Sequence, residues 1–224
     1  GYFRGKTDSA IYILKMIDLT LEHGWCDESS YAFIMFGSIQ IHFLGRIEAG
    51  YQLGHFAAGQ FDIQHPFYCV STALKHNFIS GWKKPLNDTL GPLTDAHHRG
   101  MHSGDIEFSL LSTTIACAHS FLLGKELTTL EGNLARYNQL ANQFSQTPML
   151  SLGSAYQQLA HNLRTGSGTP WILEGEIYRE SLLIPFLKEI GDQANLTNLQ
   201  ILKCATAVMF GEFTMAESSR ALVR

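Results

Sequence analysis

"HFLGRIEAGYQLG", residues His42 to Gly54, sets a glycine and two charges inside a stretch that otherwise has the composition of a helix. A glycine within a helix costs about 1 kcal/mol relative to alanine, so the reading is a turn at Gly45 between two helices. The same pattern, an apolar pair meeting a glycine before a new helix, recurs in "FISGWKKPLNDTLG", "FLLGKELTTLEGNL", "NLRTGSGTPWILEG" and "VMFGEFTMAESSRA". Gly81, Gly124, Gly166 and Gly211 follow Gly45 at spacings of about 36 to 45 residues, the period range of two-helix repeats. Each is expected to take the left-handed conformation that closes one helix before the next begins.

Helical periodicity runs the length of the chain, and nothing alternates with period two. "AIYILKMIDLTLEHG" is expected to bury Ile11, Leu14, Met16, Ile17 and Leu21 on one face. "YAFIMFGSIQIHFL" is β-branched and aromatic, but its length suits a buried helix better than a strand. The second helix of the second pair should start near Leu86, after Pro85, and end at Gly100, with Ser103 or Asp105 capping the helix that follows. Such pairs stabilise one another by stacking, which predicts an all-α superhelical solenoid of antiparallel helix pairs, about ten to twelve helices across residues 1–224. The fourth pair has a longer turn, "GSGTPW", and a hinge is expected at 164–174.

The 224 residues are 45% hydrophobic and 16% charged, enough apolar surface for a core. A net charge of −4 without a basic stripe argues against nucleic acid and anionic membranes as partners. Cys26, Cys69, Cys117 and Cys204 lie far apart, without a Cys-x-x-Cys pair, and read as small buried residues of a reducing, cytoplasmic compartment. "GYFRGKTDSA" has neither an initiator methionine nor a signal-peptide pattern, and "MAESSRALVR" stops within a helical pattern, so a segment of a longer chain is expected.

Chemistry-bearing motifs are few. "GHFAAGQF", Gly54 to Phe61, has P-loop glycine spacing, but Gln60 and Phe61 stand where lysine and a serine or threonine are required. "DAHHRGMHSGD" gathers His97, His98 and His102 with Asp95 and Asp105, residue types that bind zinc, although a helix ending at Gly100 would split His98 from His102. His42, His55, His76, His119 and His161 are scattered singly and read as core or groove residues. Cys117 and His119, two apart, should face different ways on one helix. Glu174, Glu176 and Glu180 read as an acidic first helical turn. No catalytic residue, metal or cofactor is expected.

From Tyr31 onward the chain resembles the tetratricopeptide-like helical region of large multi-domain bacterial signalling proteins. The resemblance rests on "SGWKKPLNDTLGPLTDAHHRGMHSGD", "SGDIEFSLLSTTIACAHS", "FLLGKELTTLEGNL" and "ILEGEIYRE". In that family the region lies between a P-loop ATPase domain and a GAF plus histidine-kinase or other output module, often behind a serine/threonine-kinase-like domain. With Gly45 aligned to the turn glycine of the repeat, Gly50 and Ala216 occupy the small-residue position and Leu86 departs from it. The resemblance implies a non-catalytic scaffold whose partners are neighbouring domains or other proteins. By repeat phase, Met35, Ile39, His42, Tyr68, Ser71 and Lys75 would line the concave side. Two alternatives are a ligand-sensing repeat domain of a transcriptional regulator and a small helical metal-binding domain using His97, His98 and His102.

Overall fold

The computed structural model describes residues 8–221, and there the chain is all-helical, with eleven α-helices and no strand among the described residues. Residues 1–7 and 222–224, parts of the two terminal sequences quoted above, lie outside the described residues. The chain divides into two compact units that meet in sequence between Leu123 and Gly124, the turn on which the third expected pair is centred. No helix among the described residues is long and apolar enough to cross a membrane.

The first unit holds α1 (Asp8–His23), α2 (Ser29–His42), α3 (Ile47–Ala58), α4 (Tyr68–Phe78), α5 (Leu90–Ser103) and α6 (Ile106–Leu122). "YAFIMFGSIQIHFL" is indeed helical, forming most of α2. Gly45, at φ +65°, ends the α2 turn as expected and returns the chain into α3. Three glycines make that hairpin unusually close. A Cβ on Gly50 would lie 2.3 Å from the Gly37 carbonyl oxygen, and one on Gly54 would lie 2.1 Å from Ile79 Cδ1. Gly54 and Ala57, two small residues of "GHFAAGQF", are therefore buried packing surface inside a helix.

Helix α4 packs against both α2 and α6, so α2, α4 and α6 touch in series, while α3 and α5 also contact α4. Small polar side chains join these helices. The Ser30 and Ser71 hydroxyls are 3.0 Å apart in the α2–α4 contact, and Ser109 Oγ donates to the His97 carbonyl, 2.9 Å away, between α5 and α6.

Several expectations need correction. Gly81 is not a left-handed helix end; it sits in a 3-10 turn, Ser80–Trp82, and a second 3-10 turn, Leu86–Thr89, leads into α5. Gly100 does not end α5 either. It is buried inside the helix, where a Cβ would meet Cys69 Sγ at 2.7 Å, and the left-handed cap is Gly104 at φ +84°. Close packing and helix termination both select glycine, and sequence alone does not separate them. On α1 the buried face is Ile13 and Ile17, with Met16 partly covered, whereas Ile11, Leu14 and Leu21 are exposed. The apolar arc opposite Lys15, Asp18 and Glu22 is broader than the surface it packs on, so its flanking residues stay exposed. Of the cysteines, Cys69 and Cys117 are buried, Cys204 is half-buried and Cys26 is exposed.

The second unit holds α7 (Leu127–Gln143), α8 (Thr147–Thr165), α9 (Glu180–Glu189), α10 (Gln193–Met209) and α11 (Phe213–Ala221). Gly166 and Gly211 take positive φ and close α8 and α10, as Gly124 does at the start of the unit. Ala216 is buried against Trp171 and Ala207, and α7–α8 and α10–α11 form two hairpins. After α8 the expected partner helix gives way to an irregular segment, residues 166–179, which overlaps the expected hinge span 164–174 except for Arg164 and Thr165, the last two residues of α8. Gln158 and Asn162 of α8 bind it: Gln158 Oε1 accepts from the Ile177 and Tyr178 amides at 3.2 and 3.1 Å, and Asn162 Nδ2 donates to the Pro170 and Ile172 carbonyls.

The glycine contacts lead to a paired stability test. Gly50→Ala should destabilise the chain by about 2 kcal/mol or more, because the new methyl meets backbone in a packed crossing. Gly132→Ala, at an open position of α7, should stabilise by up to about 1 kcal/mol. Urea unfolding of both variants checks this, and a Gly50→Ala protein as stable as its parent would contradict the close crossing.

Candidate functional site

The first turns of α2, α4 and α6 lie on one side of the first unit and line an open apolar cleft of about 470 Å³. Each helix contributes its N-cap and the residue three positions on: Glu28 and Tyr31, Phe67 and Val70, Asp105 and Phe108. These pairs face the same way because residues three apart share a helix face. Met16 of α1, Pro66 and Ser103 close the remaining sides.

The cleft carries two carboxylates and no basic side chain. Asp105 caps α6 by accepting from the Phe108 amide at 3.4 Å, and Glu28 is exposed at the start of α2. Among the described residues neither forms an ion pair. Burial, helped by the Glu107 charge, raises the Asp105 carboxyl above the usual range, and the same two causes raise the Tyr31 phenol. Burial also pushes the adjacent Cys69 thiol up to about 12, with the Asp105 charge adding to it, which leaves that cysteine unreactive as a nucleophile. The early amides of two of these helices are already bonded: Ser29 to Cys26 O, Ser30 to Asp27 O, and Tyr68 to His65 O.

Spacing did not find this cleft, although Tyr68 and Ser71 are its near neighbours in α4. Of the groove candidates, Ser71 is buried against Ser30, and Met35 and Ile39 pack toward the α1–α2 cluster. Tyr68 and Lys75 are half-buried, with burial lowering the Lys75 ammonium and raising the Tyr68 phenol. His42 is exposed at the other end of α2, its Nε2 3.1 Å from the Phe78 carbonyl and its ring against Trp82. These six residues do not converge on one site.

The histidine cluster also separates. Since α5 runs through Gly100, His98 and His102 share a helix, but His102 Nδ1 bonds the His98 carbonyl at 2.6 Å. His97 is buried with its Nδ1 2.9 Å from Ser109 Oγ, its ring centroid 5.4 Å from that of His98. No group of three His, Cys, Asp or Glu among the described residues is arranged to hold a metal ion. Cys117 and His119 are both buried in α6, and His119 Nδ1 lies 2.7 Å from Thr89 Oγ1. His161 pairs with Glu131, which also binds Arg164.

The acidic group of the second unit is not one helical turn. Only Glu180 opens α9, where it holds Lys203 at 2.7 Å. Glu174 reaches forward from the preceding segment to the Ser181 amide and hydroxyl, and Glu176 is exposed. Glu174 and Glu180 border a shallow depression with Ile172, Ile184 and Pro185, but their oxygens are committed to these bonds.

His76, on α4, is buried and its Nδ1 has no hydrogen-bond partner. Burial, then the neighbouring Lys75 charge, lowers its pKa to about 3, and burial lowers His119 to about 4. Both rings are thus neutral in the fold but titrate near 6.5 when the chain unfolds. A depressed folded value means that their contribution to stability is complete above about pH 6.5 and is lost as pH falls toward the folded values. The urea midpoint should therefore drop between about pH 7 and pH 4, and His76→Leu should flatten that drop. Equal pH dependence in the variant and its parent would contradict the buried neutral ring.

No protein-family model matches this chain, and neither does any curated protein or solved structure.

Proposed function

We propose that the chain is a non-catalytic, tetratricopeptide-like helical scaffold that mediates protein contacts in a bacterial cytoplasmic signalling protein, coupling an ATPase or sensor domain to a kinase or other output domain. The observation that carries this reading is the serial contact of α2, α4 and α6, with the α2–α3 and α5–α6 hairpins turned at left-handed Gly45 and Gly104. Helices stacked in this way transmit bending from repeat to repeat and offer long surfaces to neighbours. Exposed apolar side chains support the same reading. Ile11, Tyr12 and Leu21 on α1 are 64%, 69% and 75% exposed, and in the second unit Met209 and Phe213 are both 70% exposed. Apolar surface of that kind favours a covering partner.

The apolar cleft favours a second reading, a ligand-sensing repeat domain of a transcriptional regulator, because a connector has no need of a cavity at its helix starts.

The reading is tested by sequencing the natural reading frame outward from the codons for Gly1 and Arg224. The connector role predicts a Gly-x-x-x-x-Gly-Lys-Ser/Thr ATPase upstream and a kinase or other output module downstream. A DNA-binding domain alongside would favour the sensor, and a frame closing a few residues beyond both ends would contradict the connector.

A further inference from the structure

We infer that the cleft at the starts of α2, α4 and α6 is a binding site for a small organic cation, an ammonium group carried on an aromatic or aliphatic body. The inference holds under either reading of the chain's role, because it concerns the cleft alone.

Three features select this ligand class. The volume, about 470 Å³, lies within the range of small-molecule sites. The middle of the cleft is apolar, built by Phe67 and Val70 of α4 with Pro66, while the carboxylates stand on the helices to either side, Glu28 on α2 and Asp105 on α6. Tyr31 and Phe108, three residues beyond those carboxylates, add aromatic rings whose faces attract cations. An ammonium on an apolar body thus meets an acidic partner and an aromatic ring while the body covers Phe67 and Val70.

An anion finds the reverse. Helix N-termini usually favour negative charge, but the Ser29, Ser30 and Tyr68 amides are bonded to preceding carbonyls and the Phe108 amide is taken by Asp105. The two carboxylates then repel it. Asp105 is hydrogen-bonded by the Phe108 amide and the Cys69 thiol but has no opposite charge beside it among the described residues, which an ammonium supplies and a neutral ligand does not.

The test uses the full 224-residue chain and three probes of one shape: phenethylammonium, 2-phenylethanol and 3-phenylpropanoate. Each is titrated at neutral pH while backbone amide shifts of Tyr31, Phe67, Val70 and Phe108 are followed. The ammonium should saturate these shifts and bind about tenfold or more tightly than the alcohol, and the carboxylate should not bind. Asp105→Asn, which keeps a side chain able to cap α6, should weaken the ammonium about tenfold and leave the alcohol unchanged. Glu28→Gln provides the same comparison at the other carboxylate. Equal binding of alcohol and ammonium, preference for the carboxylate, or no saturable shift at these residues would each overturn the assignment. So would tighter binding of a capped Leu-Lys-Leu tripeptide than of the free amine, which would make the occupant a protein side chain.

Discussion

The backbones of α2 and α3 meet where Gly50 faces the Gly37 carbonyl, and the first unit depends on that contact. A side chain at Gly50 would occupy space already taken by Gly37 O and Ile41 Cγ1, the latter 2.6 Å from its Cβ position. With no side chain between them the helices approach until backbone touches backbone, which fixes where α3 crosses α2. Gly54, one turn further along α3, admits Ile79 from the end of α4 and extends the same packing to the next helix. Hydrophobic burial supplies the drive, since Ile34, Ala57, Leu74 and Ile79 are almost wholly covered. The glycines determine which arrangement that drive selects.

Small polar residues then set the register of the stacked helices. The hydroxyls of Ser30 and Ser71 meet between α2 and α4, and His97 meets Ser109 between α5 and α6. Each such bond adds only about 1 kcal/mol net, but a slipped register would bury these groups unpaired at a cost of about 1 to 3 kcal/mol. The second unit uses longer amides for a related purpose: Gln158 and Asn162 satisfy the amides and carbonyls of an irregular segment that has no helix to satisfy them. With α2, α4 and α6 held in this way, equivalent first-turn positions open onto one cleft, and its chemistry follows from the residues at those positions.

Part of this could be read in the sequence. Gly45, Gly124, Gly166 and Gly211 announce the turns because an apolar run, a glycine and a fresh helical pattern together leave few other conformations. The helical character of Ser29–His42 followed from its length despite its β-branched and aromatic content. Gly81 and Gly100 misled for opposite reasons, the first lying in a 3-10 turn and the second inside a helix against Cys69. The buried face of α1 was only partly legible, since its apolar arc is broad and packing against α2, Ala32 included, covers just the part around Ile13 and Ile17. The cleft was hidden because its residues come from separated segments. Glu28 and Asp105 look in sequence like ordinary residues at helix starts, and only the packing of α2, α4 and α6 brings them to one opening.

The central claim is that α2 and α4 lie side by side in this register, and a designed disulfide tests it most directly. Ser30 and Ser71 place their Oγ atoms 3.0 Å apart, close enough that cysteines at both positions should bridge with little movement. In a Ser30→Cys, Ser71→Cys protein, mild oxidation followed by peptide mapping should find residues 30 and 71 joined, while a Ser30→Cys, Asn77→Cys control should stay reduced at both positions. Free thiols at 30 and 71 after oxidation of the folded protein would contradict the register, and with it the cleft at the helix starts.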